Sequence, residues 1–237
     1  MTDLNGKLGL HPRFRHEIVR VGREGAPVVV IDDFLGDPWI VVDYVASQSV
    51  FLPGDAAYPG VRAIVPPIYA HALRLLLGKL IRDAFGFGTD RIARGSCGFS
   101  LVTTRPADLA PIQRLPHCDS ADPRQLALLH YLCAPGKGGT AFYRHRRTGF
   151  EQVDGSRVAA YRQAMSADLA ELGPPPPCYA NGSDARYERI AAFEPVFNRV
   201  LIYRGMSLHS AAIAPDFDFD PDPRTGRLTA NALLTFA

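Results

Sequence analysis

Short apolar runs separated by turn residues dominate the chain from residue 96 onward. Leucine, valine, isoleucine and aromatic residues fill the runs, and glycine, proline or aspartate bound them, which is typical of antiparallel strands. The predicted strands span 96–104, 126–133, 140–145, 187–194, 198–205 and 227–237. This part of the chain is therefore predicted to fold mainly as β-sheet.

One strand and two helices are predicted before residue 96. Residues 27–35 form a continuous apolar run, which favours a buried strand. Proline is compatible with the first turn of a helix, so Pro38 favours a helix that extends to about Ser49. Residues 67–85 carry apolar side chains at helical spacing, and Gly86 after them favours a helix end. None of these elements carries a cluster of reactive side chains, so we expect them to be scaffold.

A helical segment interrupts the series of strands. Residues 155–173 have helical periodicity, with Ser156 as the predicted N-cap and Gly173 as the stop. Four prolines at 174–177 follow, and they form a rigid connector. We expect this insertion, residues 150–180, to pack outside the core.

The length of 237 residues favours one domain, residues 1–237, because all-β domains of this size are common. Within it we expect N-terminal helical support at 27–95 and a β core at 96–237. The fold class is therefore mainly β (α+β), with N-terminal helices flanking the core.

The charge balance argues against a polyanionic partner. There are 26 Lys and Arg residues against 24 Asp and Glu residues, a net charge of +2, so neither nucleic acid nor a membrane surface is predicted to bind. The sequence has no apolar run of transmembrane or secretory length, and we expect a cytoplasmic protein with four reduced cysteines. The oligomeric state is left open, a homodimer included.

The tripeptide His117-Cys118-Asp119 is the first candidate for chemistry. Side chains at i and i+2 of an extended segment point to the same side, so His117 and Asp119 share a face while Cys118 points away as a small apolar side chain. An isolated H-x-D is common, and hydrogen bonding within a loop is the alternative. His209, after the strand at 198–205, is the best third ligand; two imidazoles and one carboxylate are the ligand set of non-haem Fe(II) oxygenases.

Other histidines compete with His209 for the metal, namely His11, His16, His71, His130 and His145. All but His130 lie in polar, helical or arginine-rich surroundings, where a solvated or capping role is favoured. His130 and Tyr131 alternate in one strand, so only one of them faces the interior, and we favour Tyr131.

Arg227 and Thr229 open the last strand on a shared face. A guanidinium fork beside a hydroxyl suits a carboxylate ligand. The alternative is a surface arginine at a strand start, but the position shortly after His209 favours the anion site.

The order of these motifs resembles the Fe(II)- and 2-oxoglutarate-dependent dioxygenases, most closely their prolyl-4-hydroxylase-like branch. It consists of H-x-D at 117–119, LLHYLCAPGKGGTAFY at 128–143, a distal histidine and RLT at 227–229. The opening VVVIDDFLGDPWIVVDYVA at 28–46 also looks like the N-terminal strand and helix of that branch. The similarity covers most of residues 27–236, although the stretch between Asp119 and His209 is long for the family.

This resemblance implies a double-stranded β-helix, also called a jelly roll, with Fe(II) bound by His117, Asp119 and His209. It further implies that Arg227, with Thr229, binds the distal carboxylate of 2-oxoglutarate, to which Tyr131 adds a hydroxyl. The implied reaction uses O₂ to hydroxylate an unactivated C–H of a peptide side chain or an amino-acid-like small molecule, and releases succinate and CO₂. Family members that halogenate lack the carboxylate, so Asp119 favours hydroxylation.

Two other functions remain open at this stage: a non-catalytic β-helix binding module, and a cupin-type metalloenzyme that does not use 2-oxoglutarate. Two further charged segments are predicted to have no specific ligand. The acidic segment 216–222 imitates a calcium loop without its glycine and glutamate, so we expect a mobile loop. The basic run 144–147 is predicted to be a solvated hairpin.

Overall fold

The computed structural model describes residues 4, 6–54, 58–89 and 91–237. Within them the strands are β1 (Arg15–Val21), β2 (Ala26–Asp32), β3 (Leu52–Pro53), β4 (Gly60–Ile64), β5 (Ile92–Val102), β6 (Gln125–Tyr131), β7 (Gly139–His145), β8 (Tyr187–Phe193), β9 (Val200–Arg204), β10 (His209–Ala212) and β11 (Leu228–Phe236). The helices are α1 (Trp39–Gln48), α2 (Pro67–Phe85) and α3 (Val158–Leu172). No helix of the described residues is both long and apolar enough to cross a membrane.

Antiparallel pairing joins the strands into two sheets. The larger sheet has the order β1-β2-β9-β6-β11-β5-β4-β3, and the smaller sheet has the order β10-β7-β8. Every strand predicted from the sequence is present, with ends that differ by a few residues. The prediction of a mainly β fold is confirmed.

The N-terminal third supplies strands to the larger sheet as well as helical support. The strand at 27–35 was predicted and is β2, whereas β1, β3 and β4 were not predicted. β2 pairs with β9 inside the larger sheet, and β4 pairs with β5. β1 was missed because its side chains are mostly exposed and lack the apolar alternation that marks a half-buried strand. β3 and β4 are too short, at two and five residues, to give a pattern.

Helices α1 and α2 cover one face of the larger sheet, as predicted. Val41 of α1 and Leu77 of α2 are fully buried in the same cluster as Phe99 of β5 and Leu128 of β6. Each such side chain contributes roughly 1.5–3 kcal/mol when it is removed from water. The other face of the sheet is therefore left to form the interior between the two sheets.

Helix α3 lies within the predicted insertion but begins later than predicted. Its N-cap is Arg157, and no side chain caps that end, so the assignment of Ser156 as the N-cap is wrong. The Asp154 carboxylate instead accepts hydrogen bonds from the backbone N–H groups of Ser156 and Arg157, at 2.9 and 3.1 Å. Asp154 thus satisfies donors in the turn before the helix. Gly173 ends the helix as predicted.

Candidate metal centre

Backbone hydrogen bonds bring three distant side chains together between the sheets. His117 and His209 form an isolated antiparallel bridge, in which each N–H donates to the other's carbonyl at 2.9 and 2.8 Å. The Asp119 N–H donates to the Gly205 carbonyl at 2.7 Å, in the turn between β9 and β10. These bonds fix the two segments against each other, so the position of each side chain is set by the backbone.

The three side chains form a ligand set for one metal ion. Asp119 Oδ1 lies 3.7 Å from His117 Nε2, and Asp119 Oδ2 lies 3.6 Å from His209 Nε2. One ligand atom from each residue lies within 4.8 Å of the others, and no other such group of three exists among the described residues. Two imidazole nitrogens and a carboxylate on one side of a metal suit non-haem Fe(II) and leave positions open for other ligands.

The protonation of the histidines is compatible with metal binding, which requires neutral imidazoles. His209 Nδ1 lies 2.9 Å from the Ser207 carbonyl; donating to it keeps the proton on Nδ1 and leaves the lone pair of Nε2 facing Asp119. About 47% of the His117 side chain is accessible in the cavity, yet the surrounding protein displaces much of its water. This burial and the second imidazole lower the pKa of His117 to about 4, against the opposing effect of Asp119.

Cys118, between the two ligands, is half-buried against the cluster around Tyr143 and Tyr187. Burial, followed by the charge of Asp119, raises the pKa of its thiol. A protonated thiol is a poor metal ligand, which agrees with the interpretation of Cys118 as a small apolar side chain.

Arg227 is buried in the same cavity. Only 3% of it is exposed, and it forms no ion pair with any described residue. Its Nε and Nη2 atoms donate to the carbonyls of Gly138 and Gly139, at 2.8 and 3.1 Å, and its Cζ lies 5.7 Å from the centre of the Tyr131 ring. A buried cation is costly unless it is paired, so this geometry favours an anionic ligand.

Thr229 and Tyr131 lie next to Arg227, but they differ in their access to the cavity. They are opposite each other on β11 and β6, and Thr229 lines the cavity. The Tyr131 hydroxyl lies 2.6 Å from the Thr140 hydroxyl, and its ring supports the guanidinium. The predicted roles of both residues toward a co-substrate stay predictions.

The cavity between the sheets has a volume of about 1050 Å³ and reaches the three candidate ligands, Arg227 and Thr229. Tyr58, Arg62 and Asn231 also line it, and the sequence analysis did not single them out. Asn231 continues the alternation of Arg227 and Thr229 on β11, a signal that could have found it. Tyr58 and Arg62 lie at β4, a strand that was not predicted.

Two further histidines, His130 and His145, are fully buried but lie outside the metal site. His130 is fully buried on the helix-covered face, where its Nδ1 lies 2.6 Å from the Tyr69 hydroxyl. Tyr131 faces the space between the two sheets, as favoured, but it is not among the residues that line the cavity. His145 is also fully buried, and its Nε2 lies 2.7 Å from Asp168. The prediction of a solvated or capping His145 is therefore wrong.

The basic run 144–147 is only partly a solvated hairpin: Arg146 and Arg147 are exposed in a turn, as predicted, but Arg144 and His145 are buried. Arg144 is buried and pairs with Glu151 and Glu188, at 2.5 and 2.8 Å. Arg147 pairs with Asp168 and Glu171, both at 2.5 Å. The carboxylates that pair with the run come from β8, α3 and the β7–α3 connection, so a local pattern could not indicate them.

The acidic segment 216–222 uses its carboxylates in local contacts. Asp218 pairs with Lys137 at 2.6 Å, and Asp220 accepts a hydrogen bond from the Thr225 hydroxyl at 2.5 Å. Phe217 and Phe219 pack beside Tyr179 near the cavity. No calcium-like cluster occurs among the described residues.

Comparisons with solved structures show relatedness in fold. The non-heme alpha-ketoglutarate-dependent carbocyclase SnoK from nogalamycin biosynthesis is 10% identical, with a TM-score of 0.50 over 89% of this chain and 79% of that one. This similarity shows a shared fold.

Two further structures match with lower TM-scores. An N-substituted L-amino acid dioxygenase from Burkholderia ambifaria AMMD is 12% identical, with a TM-score of 0.41 over 94% of each chain. A 2OG-Fe(II) oxygenase family oxidoreductase from Burkholderia pseudomallei is 13% identical, with a TM-score of 0.34 over 96% of this chain and 75% of that one.

The sequence itself matches one family model. No curated protein matches the chain. The model described as "Family of unknown function (DUF6445)" matches residues 12–234, which is nearly the whole chain. The chain therefore belongs to the DUF6445 family.

Proposed function

We propose that this protein is an Fe(II)- and 2-oxoglutarate-dependent oxygenase with a double-stranded β-helix core. It hydroxylates an unactivated C–H of a peptide side chain or amino-acid-like small molecule, with succinate and CO₂ as co-products. The single observation that carries the proposal is the buried guanidinium of Arg227, which has no counter-ion among the described residues and lies in the cavity that also contains His117, Asp119 and His209. Membership of the prolyl-4-hydroxylase-like branch rests on the order of the sequence motifs alone.

The charges of the residues fit this pair of ligands. At the two proposed binding positions, Asp119 carries one negative charge, Arg227 carries one positive charge, and His117 and His209 would bind as neutral imidazoles. Arg62 also lines the cavity, but it contacts the Tyr58 ring and the Ser100 hydroxyl and is not part of this count. A divalent cation at the ligand set leaves an excess of two positive charges, which the two carboxylates of 2-oxoglutarate neutralise. Neutralisation matters here because uncompensated charge in a buried site is expensive.

Each residue then has a specific task. His117, Asp119 and His209 would hold Fe(II), and the Ser207 carbonyl keeps His209 in the required tautomer. Arg227 would bind the distal carboxylate of the co-substrate, with Thr229 beside it. The bound iron and co-substrate supply the O₂-dependent oxidation of a C–H bond. The walls of the cavity orient the substrate and exclude water.

Two alternatives differ in what they require of the cavity. A non-catalytic binding module needs no metal ligands, yet three converge here. A cupin-type metalloenzyme that does not use 2-oxoglutarate gives no reason for a buried arginine that has no counter-ion in the described part of the chain.

Succinate release from 2-oxoglutarate, measured with Fe(II), ascorbate and O₂, separates the three functions. The proposal predicts succinate release by the wild type and loss of release in His209→Ala. Release should decrease about 100-fold in Arg227→Ala, because that variant removes the cation that would pair with the distal carboxylate of 2-oxoglutarate. A wild type that binds 2-oxoglutarate without releasing succinate would indicate a binding module. Metal binding without any binding of 2-oxoglutarate would indicate the cupin-type alternative.

A further inference from the structure

The interior face of the larger sheet forms a groove that leads from the metal centre to the edge of the sheet. Strand register places Leu129, Asn231, Gly98 and Ile64 side by side on β6, β11, β5 and β4, and all four line the cavity. Leu52 of β3 extends the same face and also lines the cavity. Four inter-strand spacings make this groove roughly 19 Å long.

The outer end of the groove is apolar and open. Ile64 is 88% exposed, and Leu52 is 64% exposed. Large apolar side chains this exposed, at the mouth of a cavity, indicate contact with an apolar ligand. Toward the metal centre, Leu129 and Leu233 continue the apolar lining.

Gly98 forms the floor in the middle of the groove. It is absent from the positions with positive φ, so its backbone conformation does not require glycine. A Cβ there would meet only the Ala63 carbonyl oxygen, at 3.3 Å. A side chain at this position requires the Ala63 carbonyl to shift by a few tenths of an ångström, and the missing side chain leaves space for a ligand.

Asn231 gives this space one polar contact. Its Nδ2 donates to the hydroxyls of Ser100 and Thr229, at 2.8 and 3.2 Å, while its Oδ1 receives no hydrogen bond from a described residue. An extended peptide would need several main-chain partners along its length, and this row of side chains offers a single amide. The neighbouring Arg62, opposite Leu52, contacts the Tyr58 ring and the Ser100 hydroxyl. A ligand with an apolar body and one hydrogen-bonding group fits the row better.

We infer that the groove binds an elongated, uncharged, mainly apolar small molecule, whose body crosses Gly98 and extends to Ile64. This inference rests on the proposed oxygenase activity of the same site, and it replaces the peptide or amino-acid-like substrate, which came from the sequence resemblance alone, by a class that the lining of the groove favours. The cavity volume of about 1050 Å³ leaves room for such a molecule beside a five-carbon co-substrate, since drug-sized ligands occupy pockets of roughly 300–1000 Å³.

The test uses 1-aminoanthracene, a neutral aromatic amine whose fluorescence increases in apolar surroundings, bound to the protein with Mn(II) and 2-oxoglutarate. Hexan-1-ol, octan-1-ol, decan-1-ol and dodecan-1-ol then displace it. Burial of each methylene should increase affinity about fourfold, so displacement should strengthen steadily with chain length. Equal displacement by all four alcohols, or displacement by an extended peptide but not by decan-1-ol, would overturn the inference.

Two variants locate the binding in the groove. Gly98→Leu should weaken binding of the probe and of decan-1-ol at least about tenfold, because its side chain occupies the floor. Ile64→Ser should reduce the advantage of dodecan-1-ol over hexan-1-ol. It leaves the fold intact because the replaced side chain is exposed. The matched control is Gly155→Leu, at an exposed glycine without positive φ whose Cβ would meet nothing within 4 Å; it should change neither measurement.

Thermal shifts caused by Mn(II) and 2-oxoglutarate are measured in the same samples. Failure of these shifts together with retained, length-dependent alcohol binding would refute the proposed function and leave the groove. Normal shifts with alcohol binding that is unchanged in Gly98→Leu would refute the groove and leave the proposed function.

Discussion

At the scale of single residues, Arg227 is the side chain whose environment most needs an explanation. Its guanidinium is 3% exposed, and among described residues its hydrogen-bond acceptors are the uncharged carbonyls of Gly138 and Gly139. Neutral acceptors compensate a buried charge only in part. An anionic ligand would complete the environment, which makes Arg227 a binding residue more than a stabilising one.

Replacing Arg227 by methionine should separate these two roles. Arg227→Met removes a buried charge and preserves much of the apolar volume, so the free energy of unfolding without ligand should fall by less than about 1.5 kcal/mol or increase. The affinity for 2-oxoglutarate should fall by about 100-fold or more, as measured by calorimetry with Mn(II).

The control for this variant is Arg224→Met, which changes an exposed arginine of the same segment that pairs with Asp43 at 2.9 Å. It should leave the affinity for 2-oxoglutarate unchanged. Equal losses of affinity in both variants would show that Arg227 has no specific role.

The sequence was most informative for residues whose neighbours are set by strand alternation. His117 with Asp119, and Arg227 with Thr229, were paired correctly because i and i+2 of an extended segment share a face. The environment of His145 could not be predicted in this way, because its partner Asp168 comes from a helix in an insertion. Whether a polar residue is solvated or buried depends on such distant partners.

At the scale of elements, helix α3 is attached to β7 through one buried carboxylate. Asp168 lies 2.7 Å from His145 and 2.5 Å from Arg147. Burial by itself would raise the pKa of Asp168, but hydrogen bonds from Arg147 and His145 outweigh it, so the pKa lies below its usual value of 3.8. The ionised form is therefore the one that stabilises the fold.

Asp168→Asn should destabilise the protein by roughly 2–4 kcal/mol at pH 7, because it removes the shared acceptor of both partners. A lowered carboxyl pKa contributes stability above the unfolded-state pKa, and this contribution is lost as the pH falls through the folded-state pKa. The difference in the free energy of unfolding between wild type and variant, from urea denaturation, should thus be largest above about pH 4 and decrease below it.

Glu171→Gln is the control, because Glu171 is an exposed partner of the same Arg147. It should change stability by less than about 1 kcal/mol at any pH. A difference for Asp168→Asn that grows toward low pH would contradict the account.

The loop between β1 and β2 contacts Glu151, whose backbone is hydrogen-bonded to the residue before His209. The Glu151 carboxylate accepts hydrogen bonds from the N–H groups of Arg23 and Glu24, at 3.0 and 2.9 Å. The Leu208 N–H donates to the Glu151 carbonyl at 2.8 Å, directly before His209. This contact thus connects the N-terminal hairpin to the strand that carries a candidate ligand.

Gly22→Ala and Gly25→Ala test this connection as a matched pair. Both glycines have positive φ, at 69° and 63°, so alanine costs each about 1 kcal/mol in backbone conformation. A Cβ at Gly22 would lie 2.0 Å from a Glu151 oxygen, whereas a Cβ at Gly25 would meet nothing within 4 Å. Gly22→Ala should be the more destabilising by at least about 1 kcal/mol in urea denaturation, and equal effects would count against the contact.

The accuracy of the predicted elements followed the strength of their patterns. Helix α2 has the bounds given by its periodicity and by Gly86, because apolar spacing and a terminating glycine agree there. The exposed strand β1 and the two-residue strand β3 depend on pairing with other strands, which leaves little trace in their own residues. β1 and β3 were missed for this reason, whereas the continuous apolar run at 27–35 predicted β2.

At the scale of the whole molecule, the two sheets enclose a cavity in which the negatively and positively charged side chains of the lining lie apart. Among the described residues, the charged side chains that line it are Asp119, one of the candidate metal ligands, and Arg62 and Arg227 on the face of the larger sheet. The similarity to SnoK shows that the arrangement of these sheets is a shared fold. The central claim is therefore that one metal ion and one dicarboxylate bind together in this cavity.

Calorimetric titration with Mn(II) and 2-oxoglutarate, under anaerobic conditions, tests that claim most directly. The account predicts one Mn(II) per chain, binding of 2-oxoglutarate that is strengthened by Mn(II), and loss of both in Asp119→Ala, because the variant removes the only carboxylate of the ligand set. Unchanged affinity for Mn(II) in Asp119→Ala, or equal affinity for 2-oxoglutarate with and without the metal, would contradict it.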